Sequence, residues 1–199
     1  MSGLETKHLS KQKPSLSAIT VHYLAQFQKP TTNPLIMPDS GLQITRIVNP
    51  PLPFYRFLYN SVGEPWFWYE RRMLNDQQLL PLLHHSGIHL CVVYQHGLPI
   101  GYTEISLQSM PVVDLSYFGL MPWALGKGIG KWLLDWSLHY IWAFNPEKIL
   151  VNTCSLDHPK ALSTYLNAGF QQIRSEEKML DMAKIKEIMK KSTSYVTDA

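Results

Sequence analysis

The sequence predicts a mixed α/β fold, in which a mostly antiparallel sheet with one parallel segment is flanked by helices. Two observations support this prediction. Apolar runs rich in β-branched and aromatic residues follow one another closely between positions 89 and 121, which indicates neighbouring antiparallel strands. A helical pattern then separates the last of these runs, at 112–121, from a further run at 148–154, which favours a parallel segment. With 199 residues and 45% hydrophobic content, the chain is sufficient for one domain with one core.

The individual elements follow from hydrophobic periodicity and from the positions of proline and glycine. Strands are predicted at 18–26, Leu42–Ile47, 89–94, 100–107, 112–121, Lys148–Cys154 and 171–180. Helices are predicted after Pro53 up to Gly63, at 75–85 despite Pro81, at 131–144 and at 157–169. The domain is predicted to span 18–182, between a flexible tail at 1–17 and a basic, partly helical tail at 183–199.

Composition argues against several classes of protein. The formal charge of +3 is too small to predict nucleic-acid binding. No apolar run reaches the roughly 18 residues of a membrane span, and residues 1–13 lack the apolar core of a signal peptide, so a cytoplasmic protein is predicted. Cys91 and Cys154 lie in apolar runs and are predicted to be buried free thiols, with no metal site.

The strongest chemical signal is a glycine-rich turn that precedes the long helix. Gly126, Gly128 and Gly130 leave room for backbone N–H groups to face a ligand, and the helix N-terminus adds unpaired donors and partial positive charge. Lys127 and Lys131 add charge beside them. The turn therefore predicts a phosphate or pyrophosphate site, although a tight turn that needs positive φ would use the same glycines. The spacing fits neither a Walker A loop nor a dinucleotide-binding fingerprint.

The segment LMPWALGKGIGKWLL, from Leu120 to Leu134, resembles motif A of the GNAT superfamily of N-acetyltransferases. The downstream ALSTYLNAGF, with Ala161, Tyr165 and Gly169-Phe170, resembles the second signature of that superfamily. The resemblance covers about 88–180. Two positions depart from the pattern: Leu125 stands where motif A usually has Gln or Arg, and His158 stands where the second signature usually has Asn.

The resemblance implies a GNAT-type sheet with a splayed parallel strand pair, and a site for acetyl-CoA without a metal. Backbone groups of Phe118 and Leu120 would hold the pantetheine arm, and the Leu120 N–H would stabilise the oxyanion. His158 would add a polar contact to the cofactor. The pyrophosphate would lie on the turn formed by Leu125, Gly126, Lys127, Gly128, Ile129, Gly130 and Lys131.

The transfer of an acetyl group to an amine needs an acid and a base. Tyr165 occupies the position of the superfamily's usual acid. Asp114 is the first choice as base, because period-two alternation would put it on one face with Ser116, Phe118 and Leu120. Glu104 is the second choice. Each carboxylate could instead serve an ion pair, and Tyr165 could be a core residue.

The acceptor is predicted to be a small-molecule or peptide amine, and its identity stays open, as does a homodimer. Candidate walls of the acceptor site are the aromatic residues Trp66, Trp68, Tyr69 and Tyr117, which could equally be core residues. Two other functions remain open: a CoA-binding sensor or inactive homologue, and a protein-interaction module that uses the aromatic segment 65–69 and the basic tail 184–191.

Overall fold

The computed structural model describes residues 16–193, which form seven strands and five α-helices in one α/β domain. The strands are β1 (Leu16–Gln26), β2 (Leu42–Ile47), β3 (Ile88–Gln95), β4 (Leu98–Ser106), β5 (Val112–Leu120), β6 (Lys148–Cys154) and β7 (Gln171–Asp181). The helices are α1 (Leu52–Gly63), α2 (Asp76–Leu83), α3 (Ile129–Trp142), α4 (Ala161–Asn167) and α5 (Met182–Thr193). Short 3-10 helices lie at Glu64–Trp66, Arg71–Met73 and Pro122–Ala124.

All seven strands belong to one sheet with the order β2-β3-β4-β5-β6-β1-β7. Every neighbouring pair is antiparallel except β5 and β6, which are parallel. Their pairing covers only Val112–Asp114 against Lys148–Leu150, after which the described strands separate. The predicted mixed sheet with a splayed parallel pair is therefore confirmed.

The N-terminal strand has a position that the sequence did not predict. β1 lies between β6 and β7 and pairs antiparallel with both, so it joins the second half of the sheet although it is first in the chain. The residue-level prediction of a strand at 18–26 is confirmed, with two more residues at its start. Residues 1–15 of the predicted tail lie outside the described residues.

Helices cover both faces of the sheet. On one face, α3 and α4 pack on a core that includes Leu134, Leu138 and Ile141. Two large aromatic side chains of α3 are also buried, since Trp132 is 5% exposed and Trp142 is 7% exposed, whereas Trp136 and Tyr140 are half-buried. On the other face, α1 and α2 cover a second cluster that is rich in tyrosine.

One predicted helix differs from the structure in its start, and the predicted C-terminal tail packs on the domain. The helix predicted from 157 begins only at Ala161, because Asp157 and His158 form a turn in which the Ala161 N–H donates to the His158 carbonyl. The predicted C-terminal tail contains α5, whose Ile185 and Met189 are buried. Residues 194–199 lie outside the described range.

The described helices include none that could cross a membrane: α3, the longest, has 14 residues, against the roughly 20 that a span requires.

Candidate active site

The separation of β5 from β6 opens a cavity of about 730 Å³. One end, here called the glycine end, is lined by Gly126, Gly128, Gly130 and Lys131. The other, here called the aromatic end, is lined by Tyr23, Tyr59, residues 66–70 and Tyr117. Between them, side chains and backbone of β5, β6 and α4 form the walls. The cavity thus joins the predicted phosphate turn to the predicted acceptor walls.

The glycine end has the geometry of an anion site. Gly126 and Gly128 have φ of +77° and +76°, and a Cβ built on either would meet no atom within 4 Å. Gly128 is the N-cap of α3, and no side chain of the described residues caps that helix terminus. The first N–H groups of α3 are therefore left for a ligand, and the helix dipole favours an anion there.

Not all of the residues predicted to bind the pyrophosphate line the cavity. Leu125, Gly126, Gly128, Gly130 and Lys131 line the cavity. By contrast, Ile129 is 2% exposed and packs in the core beside Leu120, so only its backbone can serve a ligand. Lys127 is exposed and does not line the described cavity.

The prediction that Asp114 shares a face with Phe118 and Leu120 is wrong. The register of β5 against β4 shifts between Tyr117 and Leu115, which makes Ser116 the extra residue of a β-bulge. The bulge reverses the alternation, so that Leu115 and Phe118 both pack toward α3. Asp114, between Val113 and Leu115, points to the opposite face and is not among the described residues that line the cavity.

Asp114 instead accepts a hydrogen bond from the Ser116 hydroxyl at 3.0 Å, and burial raises the pKa of its carboxyl.

A carboxyl whose pKa is raised on folding stabilises the protein below its unfolded pKa of about 3.9, and this contribution is lost as pH rises through the folded value. We therefore expect the unfolding temperature of Asp114→Asn at pH 7 to equal or exceed that of wild type. The difference between the two unfolding temperatures should shrink toward pH 4. Thermal unfolding of both proteins across this range measures it. This expectation would be contradicted if the variant were less stable than wild type at pH 7 and the loss of stability were equally large at pH 4.

Glu104, the second predicted base, lies in a buried ion-pair network. Its side chain is fully buried, and its carboxylate accepts from Arg71 Nη2 at 2.6 Å and from the Tyr55 hydroxyl. Arg71 Nε also donates to the Tyr55 hydroxyl at 3.2 Å. The carboxylate is thus held by two donors and is not among the described residues that line the cavity, which favours a structural role.

We expect Glu104→Gln to lower the free energy of unfolding by about 3 kcal/mol, because it leaves the half-buried Arg71 guanidinium without its counter-charge. The pH dependence of any catalytic rate should keep its shape. Chemical denaturation measures the first quantity, and the double variant Glu104→Gln/Arg71→Met is the matched control, because it removes both charges. If a folded Glu104→Gln variant no longer lost catalytic rate at acidic pH as wild type does, Glu104 would be the base after all.

Tyr165 belongs to α4, one of the elements that form the cavity walls. It lines the cavity, and its ring packs on Phe118 and Phe170 at centroid distances of 6.4 and 5.7 Å. Burial, with a smaller contribution from Asp157, raises the pKa of its phenol. The hydroxyl therefore stays protonated at neutral pH, as a proton donor must.

Two residues after β6 connect the cavity walls. Asp157 accepts from Trp68 Nε1 at 3.2 Å, from the Thr153 hydroxyl at 2.8 Å and from the Cys154 N–H at 2.9 Å. The neighbouring His158 stacks edge-on to Trp66, with 5.1 Å between centroids. These contacts join the loop after α1 to the loop after β6 across the gap between β5 and β6.

The four predicted acceptor-site aromatic residues, Trp66, Trp68, Tyr69 and Tyr117, all line the cavity. Phe67 between them has φ of +55°, which is uncommon for a bulky residue. The lining residues that the sequence did not predict include Tyr23, Glu70, Cys154, Asp157, Lys160 and Lys178. Asp157 and Lys160 lie just before the second signature, and Glu70 directly follows the aromatic segment 65–69, whereas Tyr23, Cys154 and Lys178 carried no such local signal.

The two cysteines differ in position. Both are free, and Cys91 is buried as predicted, whereas Cys154 is half-buried and lines the cavity. Burial raises the pKa of the Cys154 thiol, which disfavours the nucleophilic thiolate. No group of three described His, Cys, Asp or Glu side chains is arranged to hold a metal ion.

Comparison with known proteins identifies the family. Residues 51–170 match the profile of the acetyltransferase (GNAT) family. This chain belongs to the GNAT acetyltransferase family. No curated protein matches it.

Solved structures share the fold at low sequence identity. A GCN5-related N-acetyltransferase from Sphaerobacter thermophilus is 16% identical with a TM-score of 0.57, over 84% of this chain and 52% of that one. The chain thus spans about half the length of that protein. An aminoglycoside acetyltransferase from an uncultured soil metagenomic sample, in complex with trehalose, is 18% identical with a TM-score of 0.54, over 65% of this chain and 88% of that one.

Proposed function

We propose that this protein is an N-acetyltransferase, which moves an acetyl group from acetyl-CoA to a primary amine by direct attack while both are bound. One observation carries the proposal: a single cavity runs from an uncapped helix N-terminus to an aromatic end, through the gap where β5 and β6 separate. A long, flexible thioester with a pyrophosphate at one end fits such a path.

The residues of the glycine end suit the pyrophosphate. Backbone N–H groups at the start of α3 would donate to its oxygens, and Lys131 would add positive charge. Open space at the Cβ positions of Gly126 and Gly128 supports a close approach of ligand to backbone. Beyond Asp114, the β5 edge that faces β6 has no strand partner among the described residues, so Phe118 to Leu120 have backbone groups available for the pantetheine arm.

The chemistry requires two changes in bonding. The amine nitrogen forms a C–N bond with the thioester carbonyl carbon, and the C–S bond breaks. Tyr165 would donate its proton to the departing thiolate and regain one from the solvent. Overall, an ammonium and a thioester give an amide, a free thiol and one proton. The amine must lose its extra proton before attack and a second proton when the C–N bond forms. Since neither Asp114 nor Glu104 is among the described residues that line the cavity, both protons would pass to water.

The test combines binding and turnover. Titration calorimetry should detect CoA and acetyl-CoA binding, and a thiol reagent should detect CoA release that depends on an added amine. Binding without amine-dependent release would support the alternative, a CoA-binding sensor. No binding would refute both.

A further inference from the structure

The aromatic end of the cavity combines many ring faces with a single available carboxylate. We propose that the acceptor is a singly charged amine on an apolar, preferably aromatic, body, whose ammonium binds Glu70. This inference rests on the proposed function and specifies its substrate class.

Glu70 is an exposed residue on the cavity wall, and one hydrogen bond orients its carboxylate. Its Oε2 accepts from the Tyr117 hydroxyl at 2.9 Å, and this is its one side-chain hydrogen bond to other described residues. The Tyr117 ring is itself fixed by Tyr59 and Trp68, with centroid distances of 5.0 and 5.2 Å, and by the Arg71 guanidinium at 5.1 Å. Glu70 therefore presents an oriented carboxylate, with further acceptor positions open to a ligand.

Several other charged groups around this end already have partners. Asp157 is the second carboxylate among the described lining residues, and three donors occupy it. Lys178 forms an ion pair with Glu176 at 2.8 Å, and Arg71 forms one with Glu104 at 2.6 Å. Glu70 is thus the carboxylate left to attract a cation, and one ammonium satisfies it.

The cavity walls near Glu70 indicate which chemical group carries the ammonium of the acceptor. Trp66, Phe67, Trp68 and Tyr69 precede it in the chain and line the same end of the cavity. Ring faces favour both a nearby cation and an apolar body. A polyamine or an aminoglycoside would bring further ammonium groups to a surface with no further available carboxylate, at a desolvation cost. An amino acid would bring a carboxylate close to that of Glu70, and like charges repel.

The experiment compares three amines with acetyl-CoA at saturation: 2-phenylethylamine, phenylalanine, which adds a carboxylate to the same body, and spermidine, which adds charge without a ring. The kcat/KM for 2-phenylethylamine should be the highest. Glu70→Gln should raise the KM for 2-phenylethylamine several-fold, up to about 10-fold, as expected for the loss of one charge-assisted hydrogen bond at a residue that water also reaches. Tyr117→Phe, which keeps the ring and frees Glu70, should raise KM less. The matched control, Glu177→Gln on β7, should behave as wild type.

The outcomes separate this inference from the proposed function. The proposed acceptor class would be wrong if spermidine or phenylalanine were the better substrate, or if Glu70→Gln left the KM unchanged. In either case the proposed acetyltransferase function would still hold. CoA binding without transfer to any of the three amines would overturn the inference. An absence of CoA binding would refute the proposed function itself.

Discussion

The Gly130→Asp variant is expected to bind CoA at least about 100-fold more weakly than wild type, while its unfolding temperature does not fall. Gly130 lies in the first turn of α3, at the glycine end of the cavity. Two like charges about 4 Å apart near a protein surface repel by about 4 kcal/mol. An acidic residue in the first turn otherwise stabilises a helix, so a loss of affinity would not be due to unfolding.

Position 130 is better suited to this test than positions 126 and 128, where positive φ would strain any side chain. A Cβ at Gly130 would make only an ordinary contact with Leu120 Cδ1, at 3.6 Å. Gly130→Ala is therefore the control: it adds a methyl group without charge and should lose far less affinity. Titration calorimetry measures both variants. A folded Asp variant that binds CoA as wild type does would place the pyrophosphate elsewhere.

Tyr165→Phe is expected to lower kcat by about 100-fold or more, the usual contribution of general acid catalysis, and to leave acetyl-CoA affinity nearly unchanged. The substitution removes the hydroxyl and keeps the ring contacts with Phe118 and Phe170. Because burial raises the pKa of this phenol, wild-type kcat should not fall through deprotonation of Tyr165 as pH rises from 7 to 9.

Single-turnover kinetics separate the chemical step from binding and product release. Tyr94→Phe, at a tyrosine of β3 outside the described cavity lining, is the matched control and should keep the wild-type rate. If Tyr165→Phe reacts as fast as wild type in the chemical step, Tyr165 is a packing residue and the proton comes from water.

Features that depend on neighbouring residues in the chain could be predicted from the sequence. The turn at Gly126 to Gly130 needs only the local order of glycines before an apolar helix, and the structure has positive φ at two of those glycines. The strands were predicted for the same reason, since each is a local run rich in apolar, β-branched and aromatic residues.

Features that depend on distant partners could not be predicted. The bulge at Ser116 exists only in the register of β5 against β4, and it moved Asp114 to the face opposite the one expected. Likewise, nothing in β1 itself specifies its place between β6 and β7, which brings Tyr23 to the cavity wall. Glu70 was missed because its role depends on the Tyr117 hydroxyl, 47 positions away along the chain.

Direct acetyl transfer to an amine can be tested by following the acetyl group itself. The protein is incubated with acetyl-CoA that carries a deuterated acetyl group and with 2-phenylethylamine, and mass spectrometry then locates the label. We expect labelled N-acetyl product, formed one for one with free CoA, and no label on the protein when the amine is omitted. Label found only in acetate would contradict acetyl transfer to the amine, and label retained on the protein, for example at Cys154, would contradict direct attack.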